Sequence, residues 1–586
     1  MATDVQGLIR VGTLAEVSGR GCSVVTGAGH TIAVFAQGDD LHALDNRCPH
    51  MGFPLHQGTL RDGMLTCHWH HARFDVASGN AFDLFAGDVP TFGVRVVNGD
   101  VYVQVQPRAG DQAAEWERRL DEGLAHGIRL VIARSVIGLM NAGRDYRRPV
   151  TLGAEFAAAR ASNGWTNAMT ILTAAANILP RLFEDDRPRA LFAGLLHVAQ
   201  DAAGAPARVP VPPLNPAVAR TDRLAGWLRR FVEVRDNEAA ERTLRTAIDA
   251  GMSREAVAGM IFSAITDHLY IDGGHTLDYA NKAFELLEHI GWRHAPLTLT
   301  SLVPRITEAS RGEESSSWRH PVDVAAMVYA ARAELPALVE QGRKATKRWT
   351  GEDRLAETIL GDDPAATIDE LKHAIAAGAA PDAVAGAVAF AAFLRMARFH
   401  LSNEFGDWET VHNTLTAANA LHQALRRTPS VDLLRAVFDT AIAVYHDRFL
   451  NMPPAAMPAA SVGGADGTAS MLDELLELLN RQRQVTPAAT LVARYFDAGA
   501  PDDALLAAMG HALLREDAGF HLFQLVDAAF QQYAPRRGTA QGRAVLVAAI
   551  RYMSAHAPTV RSVGQTYDTA FRLHRGDQLF QQDEEG

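Results

Sequence analysis

Residues 48–70 read CPHMGFPLHQGTLRDGMLTCHWH, and the division of the chain follows from this stretch. It offers a thiolate and an imidazole two residues apart, Cys48 and His50, then sixteen residues, then a second pair three apart, Cys67 and His70. Two sulfur and two nitrogen donors, each pair on a short loop, suit a [2Fe–2S] cluster with the cysteines on one iron and the histidines on the other. Zinc is the rival for such donors, but its sites usually place about two to four residues between cysteines, which CxH followed by CxxH does not.

The pattern resembles the Rieske iron–sulfur domain, and the likeness extends to Gly52, His70-His71, Phe74-Asp75 and the turn at Ser78-Gly79 over roughly residues 8–106. The resemblance implies an all-β domain within residues 1–108 in which Cys48, His50, Cys67 and His70 hold the cluster. In high-potential respiratory members a disulfide ties the cluster loops together and hydroxyl side chains donate towards the cluster. Here Phe53 and Trp69 stand at the disulfide positions, and Ala72 and Phe74 at the hydroxyl positions. Fewer donors leave the reduced cluster less stabilised, which implies a potential low in the Rieske range of about −150 to +300 mV. That is the ferredoxin and oxygenase type, with the remaining polar help expected from loop backbone amides.

A chain of 586 residues exceeds one ordinary core, and 48% apolar content is ample for folding. Cysteines occur at 22, 48 and 67 only. With two committed to the cluster, Cys22 has no partner, which fits a reducing compartment. MATDVQGLIR lacks the layout of a signal peptide, and no apolar run of about eighteen residues occurs. The expectation is a cytoplasmic protein. A net charge of −12 argues against nucleic acid and against an anionic membrane surface as partners.

Residues 8–106 read as short strands with turn punctuation, and VRVVNGDVYVQV around Asn98-Gly99 is a hairpin signal. The glycines of SGRGCS and TGAGHT read as hairpin turns rather than phosphate loops. PRAGDQAAE, 107–115, reads as a linker. Beyond it, Ala, Leu and Glu or Arg recur at helical spacing and strand signals almost vanish. EWERRLDEGLAHGIR reads as an exposed amphipathic face.

This all-α part, 115–586, repeats itself in approximate units 115–222, 223–350, 351–470 and 471–586. TLRTAIDAGMSREAVAGMIFSAITDH from 243, ELKHAIAAGAAPDAVAGAVAFAAFLR from 370 and LVARYFDAGAPDDALLAAMGHALLRE from 491 share one pattern. Each is a helix ending in Ala-Gly, a turn, and a second helix starting near Ser253, Pro381 or Pro501. Gly251, Gly378 and Gly499 supply the left-handed cap, and Ser or Pro begins the next helix. A third helix in each unit carries a histidine nine residues before an apolar residue: His275 and Phe284, His412 and Leu421, His521 and Phe530. A fourth copy, GWTNAMTILTAAANIL from 164, has Met169 in that place.

Each such histidine, taken alone, is explained by packing or by a satisfied carbonyl. Taken together, equivalent repeats bring imidazoles to one inner surface only if the repeats close into a bundle; an open solenoid keeps them apart. His275, His412 and His521 are the first candidates for a mononuclear non-haem iron, with His197, His268, His400 and His446 in reserve. His268 and His275 share a face only if a helix runs through Gly273-Gly274. Asp267, Asp272, Asp278, Glu404 and Asp447 are carboxylates that complete such a site or else cap helices and face solvent. The loop 313–323, with Trp318 and His320, reads as a substrate lid or a helix connection.

Ring-hydroxylating Rieske oxygenases hold their iron in a mixed α/β domain on two histidines and an aspartate, and no matching run occurs here. The helical half is similar to questin-oxidase-like oxygenases, a resemblance of helix style and histidine placement that implies histidine-rich non-haem iron acting on polyketide-type aromatics. AIDAGMSREAVAGMI resembles helices of the carboxymuconolactone decarboxylase family, although no cysteine is present beyond Cys67. No nucleotide or flavin fingerprint occurs, so no bound NAD or flavin is expected and electrons arrive from an external reductase or ferredoxin. The reading is a Rieske-dependent oxidoreductase and oxygenase that passes single electrons to iron in the helical domain to oxidise a small organic substrate, aromatic compounds among them. The alternative is an electron-transfer or redox-responsive binding protein whose repeats are a metal-free docking scaffold.

Overall fold

A computed structural model of the chain describes residues 7–107, 112–215, 220–346, 349–459, 467–577 and 579. Two compact units result, one of residues 1–149 with 565–586 and one of residues 150–564. The linker reading falls partly outside the described residues, at 108–111. No described helix is long and apolar enough to cross a membrane.

Among the described residues of the first unit, nine strands form two sheets. β1 (Leu8–Thr13), β2 (Cys22–Gly27), β3 (His30–Gln37), β4 (Asp40–Asp45), β8 (Thr91–Val97) and β9 (Asp100–Pro107) make an antiparallel sheet in the order β1-β9-β8-β4-β3-β2. β5 (Thr59–Arg61), β6 (Met64–Thr66) and β7 (Arg73–Asp75) make the small sheet that carries the ligand loops. Asn98 and Gly99 both have positive φ, as the two-residue hairpin between β8 and β9 requires. The SGRGCS reading needs correction: Leu14–Arg20 is a helix and Gly21 its cap, not a hairpin turn. Its signal was local, since Thr13 and Glu16 form a reciprocal capping box.

Helices Gln112–His126 and Arg129–Asn141 and the end of Ser562–Arg575 belong to this unit as well. Gly138 admits the Trp116 indole, which would lie 2.2 Å from a Cβ there. Asn141 Nδ2 lies 2.6 Å from His574 Nε2. The charged face from Glu115 is not wholly solvated: Arg119 is buried and donates to the Leu84 carbonyl at 2.8 Å.

The second unit is helical, and its repeats close. Four central helices, Asn167–Ile178, His275–Ile290, Phe405–Arg427 and Phe520–Tyr533, each pack against the next, and the last returns to the first. Gly251, Gly378 and Gly499 adopt φ of +74°, +85° and +66°, as the cap reading requires. Ser253 caps the following helix by accepting from the Ala256 amide at 3.2 Å. Pro381 opens its helix, whereas Pro501 is itself the capping residue before Asp502–Arg515.

A buried ionic centre lies along the inside of this ring. Lys282, 1% exposed, reaches Glu285 Oε2 at 2.7 Å and also pairs with Asp527. Asn177 donates to Glu285 and Asp527 at 2.8 and 2.9 Å, and Gln531 donates to the same two carboxylates. One turn away Gln524 donates to buried Asp278. Burial pushes Asp278 up to about 7 and Asp527 up to about 6 against the pull of Lys282. Burial also opposes ionisation of Glu285, but Lys282 and Arg427 outweigh it and hold this carboxyl low.

Breaking such a centre by removing one partner costs about 3–5 kcal/mol. We predict that Lys282→Met destabilises the chain by that order. Without the ammonium the carboxyls titrate above their unfolded-state values, so protons favour the folded chain and stability falls as pH rises. The deficit, read from denaturant unfolding, is expected to be larger at about pH 8 than at about pH 5. An equal deficit at both would contradict the assignment.

Candidate functional site

The two ligand loops are built alike. The Cys48 amide donates to the Phe53 carbonyl and the Cys67 amide to the Ala72 carbonyl, both at 2.8 Å and both across five residues. Each loop turns on a left-handed residue at its fifth position, Gly52 with φ of +86° and His71 with φ of +61°. The thiols are buried in one apolar core with Phe53, Leu65, Ala72 and Phe74. Ala72 and Phe74 bring no donor. The amides of His50 and Met51 point to Cys48 sulfur, and those of Trp69 and His70 to Cys67 sulfur.

The two thiols share one hydrogen bond. It lowers Cys67 to about 6 and raises Cys48, so the first ionisation is easy and the second hard without a cation to hold both thiolates. The His50 and His70 rings lie 4.7 Å apart at 81°. Burial, then the charges of His70 and Arg134, lower His50 to about 4, so it is the neutral imidazole that metals bind. His50 Nδ1 is buried and has no hydrogen-bond partner among the described residues. Paired thiols, paired imidazoles and that orphaned nitrogen fit a [2Fe–2S] cluster.

Arg134, which sequence reasoning did not single out, lies close to the first loop. Its guanidinium donates to the Pro49 carbonyl between Cys48 and His50, and burial lowers it to about 10. The signal was an arginine inside the apolar helix RLVIARSVIGLMN. Phe85, also missed, packs edge-on to His50 with centroids 4.9 Å apart.

In the second unit, ring closure brings three sequence candidates near one another. His412, wholly buried, and His521 have ring centroids 4.9 Å apart. His275 is near enough for its charge to oppose protonation of His412, and His521 opposes protonation of both. Burial is the larger cause, and it lowers His275 to about 4 and His412 and His521 below the usual imidazole value. His275 Nδ1 and His412 Nε2 are buried and have no hydrogen-bond partner among the described residues. Tyr279, Phe520 and Tyr552 pack around the three rings. Among the described residues, no three His, Cys, Asp or Glu side chains stand about one point as a metal ion requires.

The reserve histidines lie elsewhere. His197 bonds the Ala518 carbonyl at 2.9 Å, His268 bonds Glu313 at 2.8 Å and His400 bonds Ser402 at 2.8 Å. The helix does not continue from His268 to His275, because Tyr270, Asp272 and Gly273 have positive φ and His275 opens a new helix. Asp267 pairs with Arg229 and Arg435, and Glu404 caps the third central helix. His446 and Asp447 line a cavity with the 317–322 loop; burial lowers His446 to about 4 and raises Asp447 to about 7.

Residues 8–92 match the Rieske [2Fe-2S] domain family. Human apoptosis-inducing factor 3 is 37% identical over 97 residues, 16% of this chain and 15% of that protein. The chain thus spans only a small part of that relative. The ferredoxin component of the p-cumate 2,3-dioxygenase system of Pseudomonas putida is 30% identical over 105 residues, 18% of this chain and 87% of its own. Among solved structures, the ferredoxin of carbazole 1,9a-dioxygenase from Nocardioides aromaticivorans IC177 is 25% identical over 17% of this chain and 100% of its own, with a TM-score of 0.17. These matches do not reach the helical unit.

A positive charge beside the ligand loop favours the reduced, more negative cluster. Arg134→Gln, which keeps a donor for Pro49 but removes the charge, is expected to lower the midpoint potential by several tens of millivolts in a spectroelectrochemical titration. An unchanged potential would contradict that role.

Proposed function

Because the chain belongs to the Rieske [2Fe–2S] family through residues 8–92, we propose that it is an oxidoreductase using single electrons from an external reductase or ferredoxin for O2-dependent oxidation of a small organic substrate. A cluster bound by Cys48, His50, Cys67 and His70 supplies one electron at a time. The chain's own residues set its surroundings: four loop amides face the sulfurs, apolar side chains exclude water, and Arg134 adds positive charge. With Cys48 and Cys67 committed to the cluster and Cys22 in no disulfide, the chain is consistent with a reducing compartment, the cytoplasm.

In the helical unit we assign His275, His412 and His521 as ligands of a mononuclear non-haem iron. The observation that carries this reading is that three helices bring His412 against His521 with His275 close by, and that buried ring nitrogens of His275 and His412 have no partner among the described residues. Neutral imidazole suits iron, and iron there would supply the one-electron chemistry that O2 reduction needs. Binding requires the rings to turn inward from their present positions. That same arrangement favours a second reading, an electron carrier whose helices are a metal-free docking scaffold.

Iron content separates the two. The oxygenase reading predicts about three irons per chain, two of them accompanied by acid-labile sulfide. His275→Ala is expected to remove the third iron and substrate-dependent O2 uptake while leaving the visible spectrum of the cluster intact. About two irons in the unaltered chain, with no loss in the variant, would leave the scaffold reading standing.

A further inference from the structure

A cavity of about 410 Å³ opens in the helical unit between the third central helix, the end of helix Ala436–His446 and the 317–322 loop. Tyr270, Trp318, Tyr445 and Phe449 form aromatic walls, with Tyr270 and Trp318 close to parallel at 6.0 Å. Volume and lining are those of a site for one small organic molecule.

The polar groups are few and aimed inward. Asp447 is 4% exposed, lines the cavity, and its Oδ2 is buried with no hydrogen-bond partner among the described residues. His446 Nε2, on the same wall, is buried and likewise without a partner among them. A buried carboxylate oxygen left in this state is costly unless something donates to it. The Thr414 hydroxyl and the charge of Arg395 act on the Asp447 carboxyl, yet Oδ2 keeps no partner among the described residues, and a ligand carrying a donor would give it one.

The backbone is strained at the same place. Tyr270 takes φ of +42°, unusual for a bulky residue, and is held there by the Asp439 carboxylate accepting from its amide at 2.8 Å. Asp439 is itself fixed by buried Arg332 at 2.8 Å. In this conformation the phenol reaches Thr414, which also lines the cavity.

Charge narrows the ligand class. The Arg448 guanidinium lies over Tyr445 and Phe449 at 3.5 and 3.6 Å, at the cavity wall, so a cationic ligand meets like charge. An anionic ligand meets Asp447. A neutral aromatic with a hydroxyl satisfies both the walls and the orphaned acceptor. We propose that this cavity binds a neutral hydroxylated aromatic compound, its ring between Tyr270, Trp318 and Tyr445 and its hydroxyl donating to Asp447 Oδ2.

The test is binding calorimetry on the full chain with 2-naphthol and with 2-methoxynaphthalene, which keeps the ring but lacks the donor. It needs neither iron nor turnover, so its outcome is independent of the electron-transfer reading. The expected result is that 2-naphthol binds about tenfold more tightly than the ether, and that Asp447→Leu abolishes this preference. Ala443→Leu, which fills the cavity from its wall, is expected to abolish binding of both while leaving the melting temperature and cluster spectrum in place. Equal affinity of the two compounds, no binding of 2-naphthol, or full binding by the Ala443→Leu variant would each overturn the proposal.

Discussion

The helical unit depends on keeping the buried ammonium of Lys282 fully paired. A charge taken fully out of water costs several kcal/mol unless its counter-ions and their hydrogen bonds are all in place. Its partners come from different repeats: Glu285 from its own helix, Asp527 from the fourth central helix, and Asn177, which bonds both carboxylates, from the first. An open array of repeats would leave Lys282 without Asp527, so the ionic centre and ring closure stand or fall together. Closure also determines where the histidines meet. Residues 275, 278, 282 and 285 follow one face of a helix, as do 521, 524 and 527, so the two ladders run from imidazole through Asp278–Gln524 to the lysine.

The amino-terminal unit solves a different problem, holding two sulfur and two nitrogen donors without a disulfide. Two loops of the same geometry present the cysteines, and the hydrogen bonds that favour thiolate come from amides rather than hydroxyls. Such donors depend on backbone conformation alone, which is why Gly52 and His71 occupy left-handed positions. Arg134 then adds a charge from outside the β domain.

Features written in adjacent residues were legible in the sequence. The ligand spacing, the Asn98-Gly99 turn and the caps at Gly251, Gly378 and Gly499 each rest on local chemistry that few residues satisfy. The repeat of a histidine nine residues before an apolar position was legible too, although whether its copies met depended on closure. What escaped was tertiary. Arg134 reads as an ordinary helical arginine until its helix is laid against Pro49. Lys282 and Asp527 draw no reading from the sequence, and Asp278 reads only as completing an iron site or else capping a helix and facing solvent, because their burial is decided by helices more than a hundred residues away. The cavity at Asp447 is assembled from four separated segments; of its lining, Trp318 and His320 read as a lid or connection and His446 and Asp447 as candidates for the iron site, not as walls of one pocket. The helix Leu14–Arg20 was a different kind of omission, since its capping box was present in the sequence.

The iron proposed at the histidines of the closed ring would be a second redox centre besides the cluster. Counting electrons tests this most directly, by anaerobic titration of the oxidised chain with dithionite followed in the visible spectrum and by electron paramagnetic resonance. Uptake of about two electrons per chain is expected, one at the cluster and one at the histidine site. Uptake of about one, all of it at the cluster, would contradict it.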